Sequence, residues 1–281
     1  MNQPEETYEE IMSRIHDTAA EINDQPVGCR TKPNKVTIDA NIIGSLNVFL
    51  SKNTALIMVG GPGSGKSKVY PLALNELGQE PSTFVNIDPD IIAAKLYNDD
   101  PKCRPQANRV NDLKYKKVVE NNKSLVFNGT GKDFDWYLTN VIQKLKTSGY
   151  NVYLCIVMAN LLVATDRMKQ REKEDGRNVP PDFAGYVYFQ LGISIPKYLE
   201  LDCTQIDGIL VYDNSAETTT PIPLIYKRMC EEGKITDYKC AIKNSEPDKE
   251  TGIFEYEEKY QLVGDSLCPE IVRERSYKRI A

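Results

Sequence analysis

Two periodicities divide the chain. Near its start, Tyr8, Ile11, Met12, Ile15, Ala19 and Ile22 recur at helical spacing, which predicts an amphipathic helix over residues 5–23. Ile42, Ile43, Leu46, Phe49 and Leu50 mark the apolar face of a second helix. QPVGCRTKPNK (25–35) between them reads as a loop through its Pro, Gly and Asn. From residue 54 the pattern changes to short apolar runs separated by longer helical segments, the rhythm of a parallel sheet with crossover helices. Five strands are predicted, TALIMVG (54–60), TFVNI (83–87), SLVFN (124–128), VYLCIVM (152–158) and GILVYD (208–213), each apolar enough for burial on both faces. Leu138, Val141, Ile142 and Leu145 mark a helix between the third and fourth strands, with Gly149 placed to end it in a left-handed turn. Beyond residue 233 polar and aromatic residues alternate (IFEYEEKYQL), as in a small β appendage. The expected organisation is a helical extension over 1–51, an α/β domain over 52–232 and an appendage over 233–281.

Composition narrows the class of partner. With 41% hydrophobic and 27% charged residues the chain buries an ordinary core, and a net charge of −5 argues against a large basic face for nucleic acid. No apolar run approaches the roughly 20 residues of a membrane helix, and the N-terminus, MNQPEETYEE, lacks the basic-then-apolar layout of a secretory signal. The seven cysteines are never spaced as CxxC, so they are expected to be free thiols in a reducing, cytoplasmic compartment. His16 is the only histidine, which removes His-pair metal motifs and makes a Ser/His/Asp triad implausible.

The first predicted strand runs directly into Gly60-Gly61-Pro62-Gly63-Ser64-Gly65-Lys66-Ser67, which fits GxxxxGK[ST] in its strand-loop-helix setting. This is the P-loop motif, in which glycines let backbone N–H groups converge on phosphates at the positive end of a helix dipole. The nucleotide-binding set is therefore Gly60, Gly61, Pro62, Gly63, Ser64, Gly65, Lys66, Ser67 and Lys68. Lys66 is expected on the β/γ-phosphates and the Ser67 hydroxyl on Mg²⁺. The fold class follows: an α/β, three-layer P-loop NTPase fold with a sheet of five or more mostly parallel strands.

Three further segments supply candidate chemistry. Asp88, in Ile87-Asp88-Pro89-Asp90, ends a strand; Asp-Pro suits a helix cap and first position, so Asp88 reads equally as a cap or a catalytic group. Asp90 falls in the first helical turn, at the strand ends where α/β proteins bind ligands, and suits a base taking a proton from an acceptor hydroxyl. Asn128, Thr130 and Lys132, in Asn128-Gly129-Thr130-Gly131-Lys132, are candidate acceptor contacts, although Gly-Thr-Gly is also a common turn. After the fourth strand, Arg167 and Arg171 share a helix face and Arg177 follows Gly176; such arginines neutralise a triphosphate, or else belong to a solvated charged helix.

Taken in order, GGPGSGKS, IDPD, NGTGK, KTSGYNVYL, the R-x3-R-x4-GR segment and VYDNS resemble the zeta-toxin family over residues 52–230. The resemblance implies an adenylate-kinase-like fold and an ATP/Mg²⁺-dependent phosphotransferase, whose toxin members phosphorylate UDP-N-acetylglucosamine. By matched position it implies Asp90 as base with Asp88 beside it, lid arginines Arg167, Arg171 and Arg177 on the phosphates, and Asp213-Asn214-Ser215 by the adenine. Toxin members show Glu-x-Thr-x-Arg where this chain has Asn128 to Lys132, so the resemblance carries the reaction class and not the sugar nucleotide. The leading expectation is a kinase acting on a small hydroxyl-bearing acceptor, with a protein inhibitor as a conceivable partner. The alternatives are a polynucleotide 5′-hydroxyl kinase, using a basic groove with Lys114, Lys116 and Lys117, and a non-catalytic ATP-binding regulatory protein.

Overall fold

The computed structural model describes residues 53–176, 179–215 and 222–240; both expected N-terminal helices and the IFEYEEKYQL stretch lie outside them. These residues fall into two compact units, one of Glu80–Asn128 and one of Thr54–Gln79 with the chain from Gly129 onward. Together they carry seven strands, mostly parallel, in a mixed α/β fold.

The larger unit is built on β1 (Thr54–Val59), β4 (Asn151–Met158), β5 (Gly208–Asp213), β6 (Leu224–Glu231) and β7 (Lys234–Cys240). β1, β4 and β5 pair in parallel, and β6 and β7 continue antiparallel. Ala55 through Val59 have no exposed surface, as a strand covered on both faces requires. Each buried aliphatic side chain in such a strand contributes roughly 1.5–3 kcal/mol. The register pairs Val59 with Ile156 and Met158 with Asp213, so the carboxyl ends of the three parallel strands share one edge. That edge is where open α/β sheets bind ligands. The boundary expected at 232/233 falls inside the β6–β7 hairpin, whose turn includes Glu232 and Gly233, both at positive φ.

Helix α1 (Lys66–Glu76) follows β1 directly. In the smaller unit, β2 (Val85–Ile87) pairs in parallel with β3 (Leu125–Asn128), and α2 (Pro89–Tyr97) and α3 (Arg104–Glu120) lie between them in sequence. Ala93, Leu96 and Tyr97 of α2 pack against Cys103, Ala107 and Val110 at the start of α3. Back in the larger unit, α4 (Phe134–Tyr137) continues through a π-helical turn, Leu138–Ile142, into α5 (Gln143–Thr147). Val141, Ile142 and Leu145 are fully buried and Gly149 sits at φ 82°, as the sequence pattern predicts. Helices α6 (Leu161–Asp175) and α7 (Pro181–Glu200) complete the unit.

The cysteines correct the sequence expectation. Cys203, after α7, and Cys230, on β6, form a disulfide with Cα atoms 5.4 Å apart, and Cys103 is also disulfide-bonded. The reason is topological: the partners are 27 residues apart in sequence, and folding rather than local spacing brings them together. Cys155 is a buried free thiol, its pKa driven up by desolvation. Disulfides persist in oxidising surroundings, so the cysteines no longer support a cytoplasmic placement. Among the described residues no helix is long and apolar enough to cross a membrane.

Candidate active site

The P-loop leaves β1 at Gly60, whose N–H donates to Thr130 O at 3.0 Å, and turns back as Ser64 N–H donates to Gly61 O at 3.2 Å. Lys68 and Val69 N–H both donate to Gly65 O, which starts α1. Two glycines are enforced by their surroundings. Gly65 lies at φ 87°, a left-handed conformation, and a Cβ there would collide with the Asn214 amide. At Gly61 a Cβ would strike the ring of Tyr188.

Lys66 Nζ donates to Gly60 O at 2.7 Å and Gly61 O at 3.1 Å, so its ammonium lies across the loop. The Ser64 hydroxyl is fully buried and finds no hydrogen-bond partner among the described residues. A closely turned backbone, a resident ammonium and an orphaned hydroxyl at a helix N-terminus suit a polyphosphate. Ser67 and Lys68 occupy the exposed first turn of α1.

Neighbouring elements bolt this loop in place. The buried Tyr188 on α7 donates its hydroxyl to Pro62 O at 3.0 Å. Burial raises the pKa of that hydroxyl and the nearby Arg167 opposes the rise, so it stays protonated. Asn214, following β5, donates from Nδ2 to Ser64 O at 2.8 Å, and Arg167 Nη1 donates to Asn214 O at 2.8 Å. Asn214 and Arg167 therefore hold each other and the loop, where the sequence suggested separate contacts with adenine and phosphate. Arg171, one turn further along α6, is exposed, whereas Arg177 lies outside the described residues.

The NGTGK segment is divided between the units. Gly131 and Lys132 are anchored to α7: Ser194 Oγ donates to Lys132 O at 2.7 Å and Tyr198 O–H to Gly131 O at 3.0 Å, while the Thr130 carbonyl accepts from Gly60 N–H. Lys132 Nζ stands 4.7 Å from the Tyr186 ring centre and 5.4 Å from that of Phe183, so its charge is shared with two aromatic faces. Asn128 belongs to the smaller unit, where it is buried and donates from Nδ2 to Asn86 Oδ1 at 2.7 Å.

The same unit holds both carboxylates. Asp88 caps α2, its Oδ1 accepting from Asp90 N–H at 2.9 Å with Pro89 at the first helical position, as the Asp-Pro step predicts. Asp90 is ion-paired with Arg104, both side chains about half exposed (46% and 45%). Lys114, on α3, is almost fully buried and donates to Asn86 O at 2.6 Å. Burial pulls its pKa down to about 8, Asp88 counteracts this, and Lys95 adds to it. A buried Lys114 cannot line a basic groove, and Lys117 is paired with Glu120 at 2.9 Å, so two of the three lysines expected for polynucleotide binding are otherwise engaged. Among the described residues no group of three or more His, Cys, Asp or Glu side chains is placed to hold a metal.

Arg104, Lys114 and Tyr188 were not singled out by the sequence for these positions. Arg104 follows the Asp-Pro-Lys-Cys turn with no motif of its own, and Tyr188 lies in an apolar helix where it reads as core. Only Lys114, a cation on the apolar stripe of Ala107, Val110 and Val118, carried a local signal.

These features define a P-loop α/β protein with a carboxylate pair at the start of the helix after its second strand. A family model described as Zeta toxin matches residues 47–220, more than half of the chain, and the chain belongs to that family. A structure from the PezAT chromosomal toxin-antitoxin system of Streptococcus pneumoniae superposes with a TM-score of 0.50 at 14% identity, covering 98% of this chain and 96% of that one. The AvrRxo1-ORF1:AvrRxo1-ORF2 complex with sulphate ions superposes at TM-score 0.53 and 12% identity, covering 96% and 85%. The AvrRxo1-ORF1:-ORF2 complex with ATP gives 0.50 and 11%, covering 96% and 83%. At such identities the likeness establishes the fold. No curated protein matches the sequence.

Proposed function

We propose that the chain is an ATP- and Mg²⁺-dependent kinase that transfers a γ-phosphate to a hydroxyl of a small molecule. The observation that carries this reading is the P-loop itself, with Lys66 lying across it and the buried Ser64 hydroxyl without a partner among the described residues, in a member of the zeta toxin family. The ATP-bound AvrRxo1 complex shares the fold and supports the choice of nucleotide.

In this reading the loop N–H groups and Lys66 hold the β- and γ-phosphates, and Arg171 and Arg177 neutralise charge that develops on transfer. Ser67 would hold Mg²⁺, which would supply electrostatic neutralisation of the phosphates when bound. Asp90 accepts the proton of the acceptor hydroxyl. Asp88 fixes the start of its helix, and the Arg104 ion pair must loosen for Asp90 to act. Asn128, Thr130 and Lys132 contribute to acceptor recognition. Nucleotide sugars, including UDP-N-acetylglucosamine, are the first acceptors to test, and a protein that blocks the site is an additional partner to seek.

The test is phosphorylation of a fractionated metabolite pool with labelled ATP, comparing wild type with Lys66→Ala and Asp90→Asn. A labelled product that depends on both residues supports the assignment. Full turnover in Asp90→Asn would remove Asp90 as the base, and ATP binding without transfer to any acceptor would favour a regulatory ATP-binding protein.

A further inference from the structure

On the reading that the P-loop binds a nucleotide, we propose that Asn214 and Arg167 form a strut that sets the conformation of the loop and ties it to helix α6. Asn214 is then a positioning residue for the phosphates and does not read the base.

Asn214 is 7% exposed. Its own N–H donates to Met158 O at 2.8 Å, which fixes its main chain at the end of β4. Its side-chain Nδ2 donates to Ser64 O at 2.8 Å. A trans peptide points its C=O and N–H in opposite directions, so holding the Ser64 carbonyl towards Asn214 turns the Gly65 N–H away from it. The strut thereby selects one orientation of a peptide in the turn that gathers donors for phosphate. The lack of a side chain at Gly65 is what lets the amide approach so closely.

Arg167 completes the connection. Its Nη1 donates to Asn214 O at 2.8 Å, and its Nη2 lies 3.4 Å from Asn214 Oδ1. A guanidinium at the amide oxygen polarises the amide and strengthens the Nδ2 donor on its other side. A second tie runs parallel to the first: Ser215 Oγ donates to Asp213 Oδ1 at 2.6 Å and accepts from Asn160 N–H at 3.0 Å. Asn160 caps α6 through Leu162 N–H at 2.8 Å. The end of β5 therefore holds α6 at its cap and again at Arg167, and the next exposed arginine on the helix is Arg171. A shift of the Ser64–Gly65 peptide would be felt at the point from which Arg171 reaches out.

The experiment is a fluorescence titration of the full chain with Mg²⁺ and mant-ADP, together with displacement of mant-ADP by inorganic tripolyphosphate. Asn214→Asp is close in size but turns an oxygen towards the Ser64 carbonyl, and should weaken both ligands by about ten- to a hundredfold. Arg167→Met should weaken both by a smaller factor, and the double variant should be no worse than Asn214→Asp alone, because the two residues act as one unit. Melting temperatures without nucleotide separate this from simple unfolding, and if Asn214→Asp does not fold, Arg167→Met and Arg167→Lys decide the matter. Loss of mant-ADP affinity with unchanged tripolyphosphate affinity would mean that Asn214 reads the base, and would overturn the strut. Wild-type affinity in every variant would overturn it as well. A wild-type chain that bound neither ligand would instead overturn the nucleotide reading on which the strut rests.

Discussion

The loop region of the larger unit and the carboxylate region of the smaller one are stabilised in different ways. Around the P-loop, Tyr188, Asn214 and the Thr130 carbonyl each hold a backbone group, and Ser64 is fully buried. Around Asp90 the main contact is one ion pair whose partners are about half exposed. A phosphate cradle gains from rigidity, because donors already aimed at the charge need no reorganisation when it arrives. Under the proposed function Asp90 is a base that must meet a changing proton and a changing substrate, and a half-exposed ion pair costs little to open.

This difference predicts that variants of the two regions fail differently. Asp90→Asn should lower phosphoryl transfer by about 10³-fold while leaving mant-ADP affinity unchanged. Lys66→Ala should weaken both, because its ammonium belongs to the cradle. Titration beside single-turnover transfer would show the split, and equal loss of nucleotide affinity in the two variants would remove the distinction.

Next in size is the cross-link of the larger unit. Removing the Cys203–Cys230 bond as a Cys203→Ser, Cys230→Ser pair should cost about 3.5 kcal/mol, the chain-entropy expectation for its 27-residue separation. Urea denaturation of the variant beside wild type, both without reductant, measures it. A loss below about 1 kcal/mol would mean that packing around α7 and β6 already confines the denatured loop.

Lys114 gives the smaller unit its own test. Its pKa falls from 10.5 to about 8 in the folded chain, chiefly through burial. Between those values the unfolded chain binds more protons, so this group adds stability as pH rises from about 8 to about 10.5, by about 3 kcal/mol in all. At neutral pH the buried charge is a cost. Lys114→Met should therefore show a smaller rise in stability between pH 7.5 and 10 than wild type, measured by denaturant midpoints. Parallel curves would show that Lys114 keeps an ordinary pKa.

What the sequence made legible divides along the same line. Strands of uninterrupted apolar residues, the Gly-rich loop and the Asp88-Pro89 cap are local signals, because each depends on neighbours within a few residues. The five predicted strands and the helix at Leu138–Leu145 are present for that reason, and so is the turn at Gly149. The strut between Arg167 and Asn214, the Tyr188 contact with Pro62 and the disulfide join residues 47, 126 and 27 positions apart. No periodicity records such pairings. The free-thiol expectation failed on this point, since spacing rules detect metal and redox motifs but not partners supplied by topology. Arg167 and Asn214 were singled out as nucleotide contacts one by one, and their hydrogen bond to each other left no trace in the sequence.

The smallest predicted effect is also the one that most sharpens the contrast. Arg104→Gln removes the charge facing Asp90 but keeps a polar side chain of similar reach. Because both partners are about half exposed, the pair should contribute less than about 1 kcal/mol to stability. The melting temperature should therefore shift by only a few degrees. If the pair merely decorates the surface, transfer should be equally indifferent. If Arg104 holds Asp90 until an acceptor displaces it, Arg104→Gln should change KM for the acceptor and the salt dependence of turnover while mant-ADP affinity stays fixed. A loss of several kcal/mol in stability would contradict the comparison itself, because Asp90 would then sit in a framework as constrained as the P-loop.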